Sequence, residues 1–217
     1  DNWRSALACF SDESVAAAVE ALGELERIFA ENNLDDERIA LLLERAERAE
    51  DLAHRLTLLR TRADQLEGLD RGDEAVAALH QIVGLAGGEV STEVAHLRDE
   101  AMAHLEEMLT GQGRSEAVVE LLVESAQNTA DLSVAARWLI TAADIAETRL
   151  EQPEEASRIF EVLYTMVPNN EDANTALDRL YRAANDWGAL AHLFERQHGH
   201  LLTTGEESAA VDTLFKL

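Results

Sequence analysis

The chain has 217 residues and carries 43 acidic against 18 basic side chains, a net charge of −25. Two prolines and 5% aromatic residues, against an abundance of Ala, Leu, Glu and Arg, exclude a β sandwich or barrel and favour helices. No run approaches the ~18 apolar residues of a membrane span, and the single cysteine, Cys9, excludes an internal disulfide framework and reads as a small buried apolar residue rather than a nucleophile.

In chain order, residues 1–10 read as the remnant of a preceding helix. Ser11 to Ser14 supply capping residues for a helix near 12–31. Asn32 and Asn33 break it, and Asp35 and Asp36 open a helix over 36–49. Asp51 starts another to Glu67, and Gly68 and Gly72 bracket the loop before a helix at 73–86. Gly87 and Gly88 end that helix, since glycine accepts the left-handed conformation on which helices stop. Ser91 and Thr92 cap a longer helix to about Leu109, and Gly111 to Gly113 separate it from helices at 114–128 and 131–149. Pro153, followed by Glu154 and Glu155, suits the first turn of a helix over 153–167: the lost N–H is harmless there and the carboxylates meet the positive helix end. Ala156, Ile159, Phe160, Leu163 and Val167 form its apolar stripe. Pro168 stops it, because its ring disfavours the α conformation at Val167. Asn169 or Asn170 caps the next helix, 170–184, with the stripe Ala173, Leu177, Leu180, Tyr181 and Ala184. Asp186 and Trp187 open a helix to about His200, Thr203 to Gly205 break the chain, and a last helix fills 206–217. That makes about 11–12 helices.

Ala156, Phe160 and Pro168, followed by Leu177, Tyr181, Leu190 and Phe194, resemble the pattern of tetratricopeptide (TPR) repeats, whose unit is about 34 residues. In that family a small residue opens the second helix, an aromatic follows four later, and a proline closes the unit. A unit starting at Arg137 places all three, and the next starts at Glu171 with Leu190 in place of the small residue. Ile140 stands where the family often has Trp, and Asp144 and Asp178 where it often has Gly. The resemblance implies a bacterial-type degenerate TPR solenoid: all-α, a right-handed superhelix of antiparallel hairpins.

The chain also repeats itself at a spacing of 80 residues. Glu20–Glu67 aligns with Glu100–Glu147 without a gap, matching Leu25 to Leu105, Leu41 and Leu42 to Leu121 and Leu122, Asp51 to Asp131, Leu59 to Leu139 and Thr61 to Thr141. One residue later, Leu69–Ala75 matches Leu150–Ala156. The expected organisation is one solenoid domain over 1–217, with copies at about 20–99 and 100–180 and a partial copy at 181–217. A hairpin has too little apolar area to be stable alone and must stack on the next. Both ends look cut from a longer chain, and a cytoplasmic location is expected.

No Gly-rich phosphate loop, His-Glu-x-x-His or Cys pair is present, so no enzymatic activity, cofactor or metal site is expected. His192, His198 and His200 lie near one helix end and His96 and His104 are eight apart. Neither set has the i, i+3 or i+4 spacing of helix-borne ligands. The excess negative charge repels nucleic acid and anionic lipid surfaces and attracts basic partners, or else only keeps the helical surface soluble. Trp187 is expected to wedge between hairpins, and Trp138 either packs inside or faces a groove.

In TPR domains the first helix of each hairpin lines the concave face. That resemblance nominates Trp138, Thr141, Ile145, Thr148 and Arg149 in one unit and Asp172, Thr175, Arg179 and Arg182 in the next. Leu58, Thr61 and Gln65 are the counterparts in the first copy. Thr61 and Thr141 either face the groove or bond back to their own helix. Arg149, Arg179 and Arg182 are expected to make a basic spot suited to a carboxylate. A clamp for chaperone tails is disfavoured, since Lys216 is the sole lysine. The expected function is a non-enzymatic scaffold that binds a protein or peptide. The alternatives are a self-assembling spacer, or the regulatory arm of a larger enzyme.

Overall fold

The computed structural model describes residues 15–88, 91–168, 170–205 and 213, with side chains from Ala21 onward. The expected helices at 1–10 and 206–217, the caps at Ser11 to Ser14, Cys9 and Asn169 lie outside the described residues.

Among the described residues there are ten helices and no strand. They are α1 (Val15–Glu31), α2 (Asp35–Arg48), α3 (Leu52–Gly68), α4 (Gly72–Ala86), α5 (Thr92–Gly111), α6 (Ser115–Asn128), α7 (Leu132–Thr148), α8 (Pro153–Met166), α9 (Glu171–Ala184) and α10 (Trp187–Thr204). The chain divides into two compact units, the first ending at Met108 and the second beginning at Leu109, within α5. Inside each unit helices pack on their neighbours in sequence: α1 on α2, α2 on α3 and α3 on α4 in the first, and each of α6 to α9 on the next in the second. Short turns make those neighbours antiparallel. Arg38, ten residues before the end of α2, accordingly donates at 2.8 Å to Gln65, late in α3. Each unit is thus a stack of helical hairpins.

Two kinds of turn alternate. After α1, α3, α5, α7 and α9 the chain takes one left-handed residue: Asn33, Asp70, Gly113, Glu151 and Asn185, with φ of 55, 58, 70, 54 and 57°. In four of these turns the next N–H reaches back five residues: Leu34 to Phe29, Arg71 to Leu66, Arg114 to Leu109 and Asp186 to Tyr181. This is the Schellman closure, which satisfies carbonyls the helix end would leave open. After α2, α6 and α8 the chain runs extended and the next helix opens on a capping side chain. Asp51 accepts from His54 N (2.7 Å), Asp131 from Ser133 N (2.9 Å) and Asn170 from Ala173 N (2.8 Å). The alternation marks the hairpins as α1–α2 and α3–α4 in the first unit and α7–α8 and α9–α10 in the second. The ends of α1, α2 and α3 fall 80 residues before those of α5, α6 and α7.

The core is leucine and alanine. Leu41, Leu42, Leu56, Leu59, Leu66 and Leu79 are fully buried in the first unit, and Leu122, Leu139 and Leu163 in the second. Each contributes roughly 1.5–3 kcal/mol relative to exposure.

Three local expectations are corrected. Gly87 does not end α4 in a left-handed conformation; it stays right-handed at φ −62°. Helix α10 continues past His200 to Thr204, because the Thr203 and Thr204 hydroxyls bond the His200 carbonyl and so tolerate the extra turn; Gly205, at φ 81°, then ends it. Trp187 is not wedged between hairpins: as the first residue of α10 it is 59% exposed, while Asp186 caps Ala189 N beside it.

Candidate functional site

The nominated residues all lie on or just beyond the first helices of hairpins, and most find partners at once. Thr61 and Thr141 are half-buried, and both hydroxyls donate to the carbonyl four residues back, Thr57 at 2.9 Å and Arg137 at 3.0 Å. Gln65 accepts from Arg38. Leu58, Trp138 and Ile145 are buried at 6%, 4% and 9% exposure, so the indole packs inside. Thr148 bonds back to Asp144 O at 2.6 Å.

The structure does not assemble Arg149, Arg179 and Arg182 into a bare cationic spot. Arg179 of α9 makes a two-pronged pair with Glu147 of α7, Arg182 reaches Asp178 at 2.9 Å, and Arg149 donates to Thr110 at 3.4 Å. The hydrogen bond from Arg179 holds the Glu147 carboxyl below the usual glutamate range, against the opposing effect of burial, and the same bond raises Arg179. Glu147 aligns with Glu67, and in the first unit Glu67 of α3 meets His104 of α5 at 3.0 Å. In both units, then, a glutamate near the end of a hairpin's first helix ties it to the helix two further along the chain.

The most developed polar cluster escaped the sequence reading. Glu161 of α8 accepts from Arg196 of α10 through both terminal nitrogens (2.8 and 2.7 Å) and from the Tyr181 hydroxyl of α9 (2.6 Å). The Arg196 guanidinium lies 4.5 Å from the centre of the Tyr164 ring, a cation–π contact. Burial pushes the Glu161 carboxyl up, but the bonds from Arg196 and Tyr181 outweigh it and leave it below the usual range. Burial first, then the bond to Glu161 and its charge, push the Tyr181 phenol well above its ordinary value. Tyr181 and Phe194 were visible as repeat positions, but nothing in spacing links Arg196 to a carboxylate 35 residues away.

Among the described residues no three His, Cys, Asp or Glu side chains converge in a way that would hold a metal ion, and no helix is long and apolar enough to cross a membrane. His96 and His192 each sit beside a glutamate of their own helix, Glu100 at 3.4 Å and Glu195 at 3.2 Å. Arg98 is 2% exposed and bonds the adjacent Asp99 at 3.0 Å.

No family model matches the chain, and comparison with the curated proteins finds no match. Among solved structures it is similar to a crystal structure of the nearly identical TPR-like repeats of a kinesin light chain from Podosopora anserina, at 18% identity over 87% of this chain and 96% of that one, with a TM-score of 0.36. A superposition at that score bears on nothing further, and the hairpin architecture rests on the elements, turns and contacts above.

Proposed function

We propose that this chain is a non-enzymatic interaction scaffold that binds a basic segment of a partner protein along the first helices of its hairpins. The positions concerned are Thr61 and Gln65 in the first unit and, within the second unit, Trp138, Thr141, Arg149, Arg179 and Arg182, with Trp138 acting as buried support. The observation that carries the reading is the charge left over. Arg179 and Arg182 are already matched by carboxylates of their own unit, and the chain as a whole retains −25. A surface of that kind draws cations and repels phosphate polymers. TPR-like hairpin stacks commonly serve protein–protein interaction, which supports a peptide or protein as the occupant.

Fluorescence anisotropy with lysine- and arginine-rich peptides against acidic ones tests this at two salt concentrations. Basic peptides should bind, more weakly as salt screens the charges over the ~8–10 Å Debye length. Thr61→Arg and Thr141→Arg should weaken them about tenfold, roughly 1.4 kcal/mol. Equal binding of acidic peptides, or no effect of either substitution, would overturn the reading.

A further inference from the structure

Two turns of the first unit carry a feature that their hairpins do not need. The α1–α2 turn and the α3–α4 turn lie side by side, joined by Arg71, which reaches Asp36 at 2.6 Å and its own neighbour Glu74 at 2.7 Å. Between the turns is a recess of about 360 Å³, lined by Leu34 and Leu69, by Asp35, Asp36 and Glu37 of α2 and by Arg71, among others. Leu34 and Leu69 are each 39% exposed.

The fold does not account for Leu34. It follows the left-handed Asn33, and its N–H closes the end of α1 on Phe29 O at 2.9 Å. That closure uses the backbone alone. After the left-handed residue of the other four such turns stand Arg71, Arg114, Gln152 and Asp186, all polar. The turn therefore does not call for a leucine. Exposed leucines scattered singly are ordinary, but two that share a polar-rimmed recess mark a contact surface.

The rim is acidic. Arg71 is already matched by Asp36 and Glu74, while Asp35 and Glu37 enter no ion pair among the described residues. The positive end of α2 gives these first-turn carboxylates a local reason for their sign, but it covers neither leucine.

We propose that this recess docks a basic segment of a partner protein that carries two neighbouring apolar side chains. Those side chains cover Leu34 and Leu69, and flanking lysines or arginines meet Asp35 and Glu37. Charge complementarity selects this occupant. A second copy of a chain at −25 would bring like charge to the rim, and an acidic segment would meet the same repulsion. The surface lies on the turns and not on the first-helix face, so it goes beyond the proposed function.

The test titrates the peptide Lys-Lys-Leu-Leu-Lys-Lys into the isotope-labelled chain and reads affinity at the amide resonances of Leu34, Asp36 and Leu69, so that binding elsewhere does not enter. These amides should shift and saturate. Glu-Glu-Leu-Leu-Glu-Glu and Lys-Lys-Ser-Ser-Lys-Lys should each bind there at least about tenfold more weakly. Leu34→Ser should weaken binding of the first peptide about tenfold, and Leu69→Ser does the same and serves if Leu34→Ser fails to melt cooperatively. Asp35→Asn combined with Glu37→Gln should weaken it and flatten its salt dependence. Thr61→Arg, which tests the first-helix face, should leave the affinity read at these amides unchanged, which keeps this result apart from that of the proposed function. Unmoved amides, equal binding of either control peptide, or full binding by a folded leucine variant would overturn the proposal. A mass that doubles with concentration and reverts in Leu34→Ser would overturn it as well, by giving the recess to a second copy.

Discussion

Replacing Glu161 by alanine should loosen the end of the second unit more than any other single surface change. The carboxylate is the shared acceptor for two helices: Tyr181 of α9 at 2.6 Å and Arg196 of α10 at 2.8 and 2.7 Å. A hydrogen bond to a charged group contributes about 1.5–3 kcal/mol when buried. Here the Arg196 and Glu161 side chains are 40% and 32% exposed, so the ion pair is discounted to about 0.5–1 kcal/mol. The half-buried Tyr181 bond is set at the low end, about 1.5 kcal/mol. The expected loss is about 2–2.5 kcal/mol, concentrated in α9 and α10 because stacked hairpins unfold from their ends. Hydrogen exchange of α10 amides should speed up by a factor of about 30 or more. Double-mutant cycles with Tyr181→Phe and Arg196→Ala should each show coupling of about 0.5 kcal/mol or more. The same cluster sets two pH limits. The Glu161 carboxyl lies below its unfolded value, so its contribution is present above the ordinary glutamate range and is lost as pH falls below that range through the folded value. The Tyr181 phenol lies above its unfolded value, so its contribution is present below about pH 10 and is lost as pH rises beyond that. Exchange in α10 that is unchanged in Glu161→Ala, or strictly additive cycles, would refute this account of the cluster.

Two further outcomes follow from the turns. Asp131→Ala removes the acceptor for Ser133 N and Val134 N and should cost about 1 kcal/mol, read from the urea midpoint of the second unit. Glu151→Gly should stabilise by up to about 1 kcal/mol, since Glu151 holds φ 54° where glycine is at ease; a lower thermal midpoint would show that its side chain does something the turn needs.

The helices and the alternation of turns were close to legible because their signals are local. Asp51, Asp131 and Asn170 cap within three residues, Pro153 sits in the first turn of α8, and Asn33 and Asn185 are among the few residues that tolerate left-handed backbone. Apolar stripes such as Ala156, Ile159, Phe160 and Leu163 were buried as their period required. Where spacing was asked to say more, it failed. Trp187 had the look of a wedge but is 59% exposed at the first position of its helix. Arg149, Arg179 and Arg182 were grouped by helical position, yet Arg179 found Glu147, 32 residues away, and Arg182 found Asp178 on its own helix.

By itself, then, the sequence determined an all-α chain of amphipathic helices, their ends and their hairpin order, since backbone capping and the 3.6-residue period act over a few residues. Only the tertiary structure decided which charges meet. A long arginine reaches across helices to whichever carboxylate or carbonyl the packing brings near, so Arg196 ties α10 to α8 and Arg55 of α3 bonds the Ala46 and Glu47 carbonyls of α2.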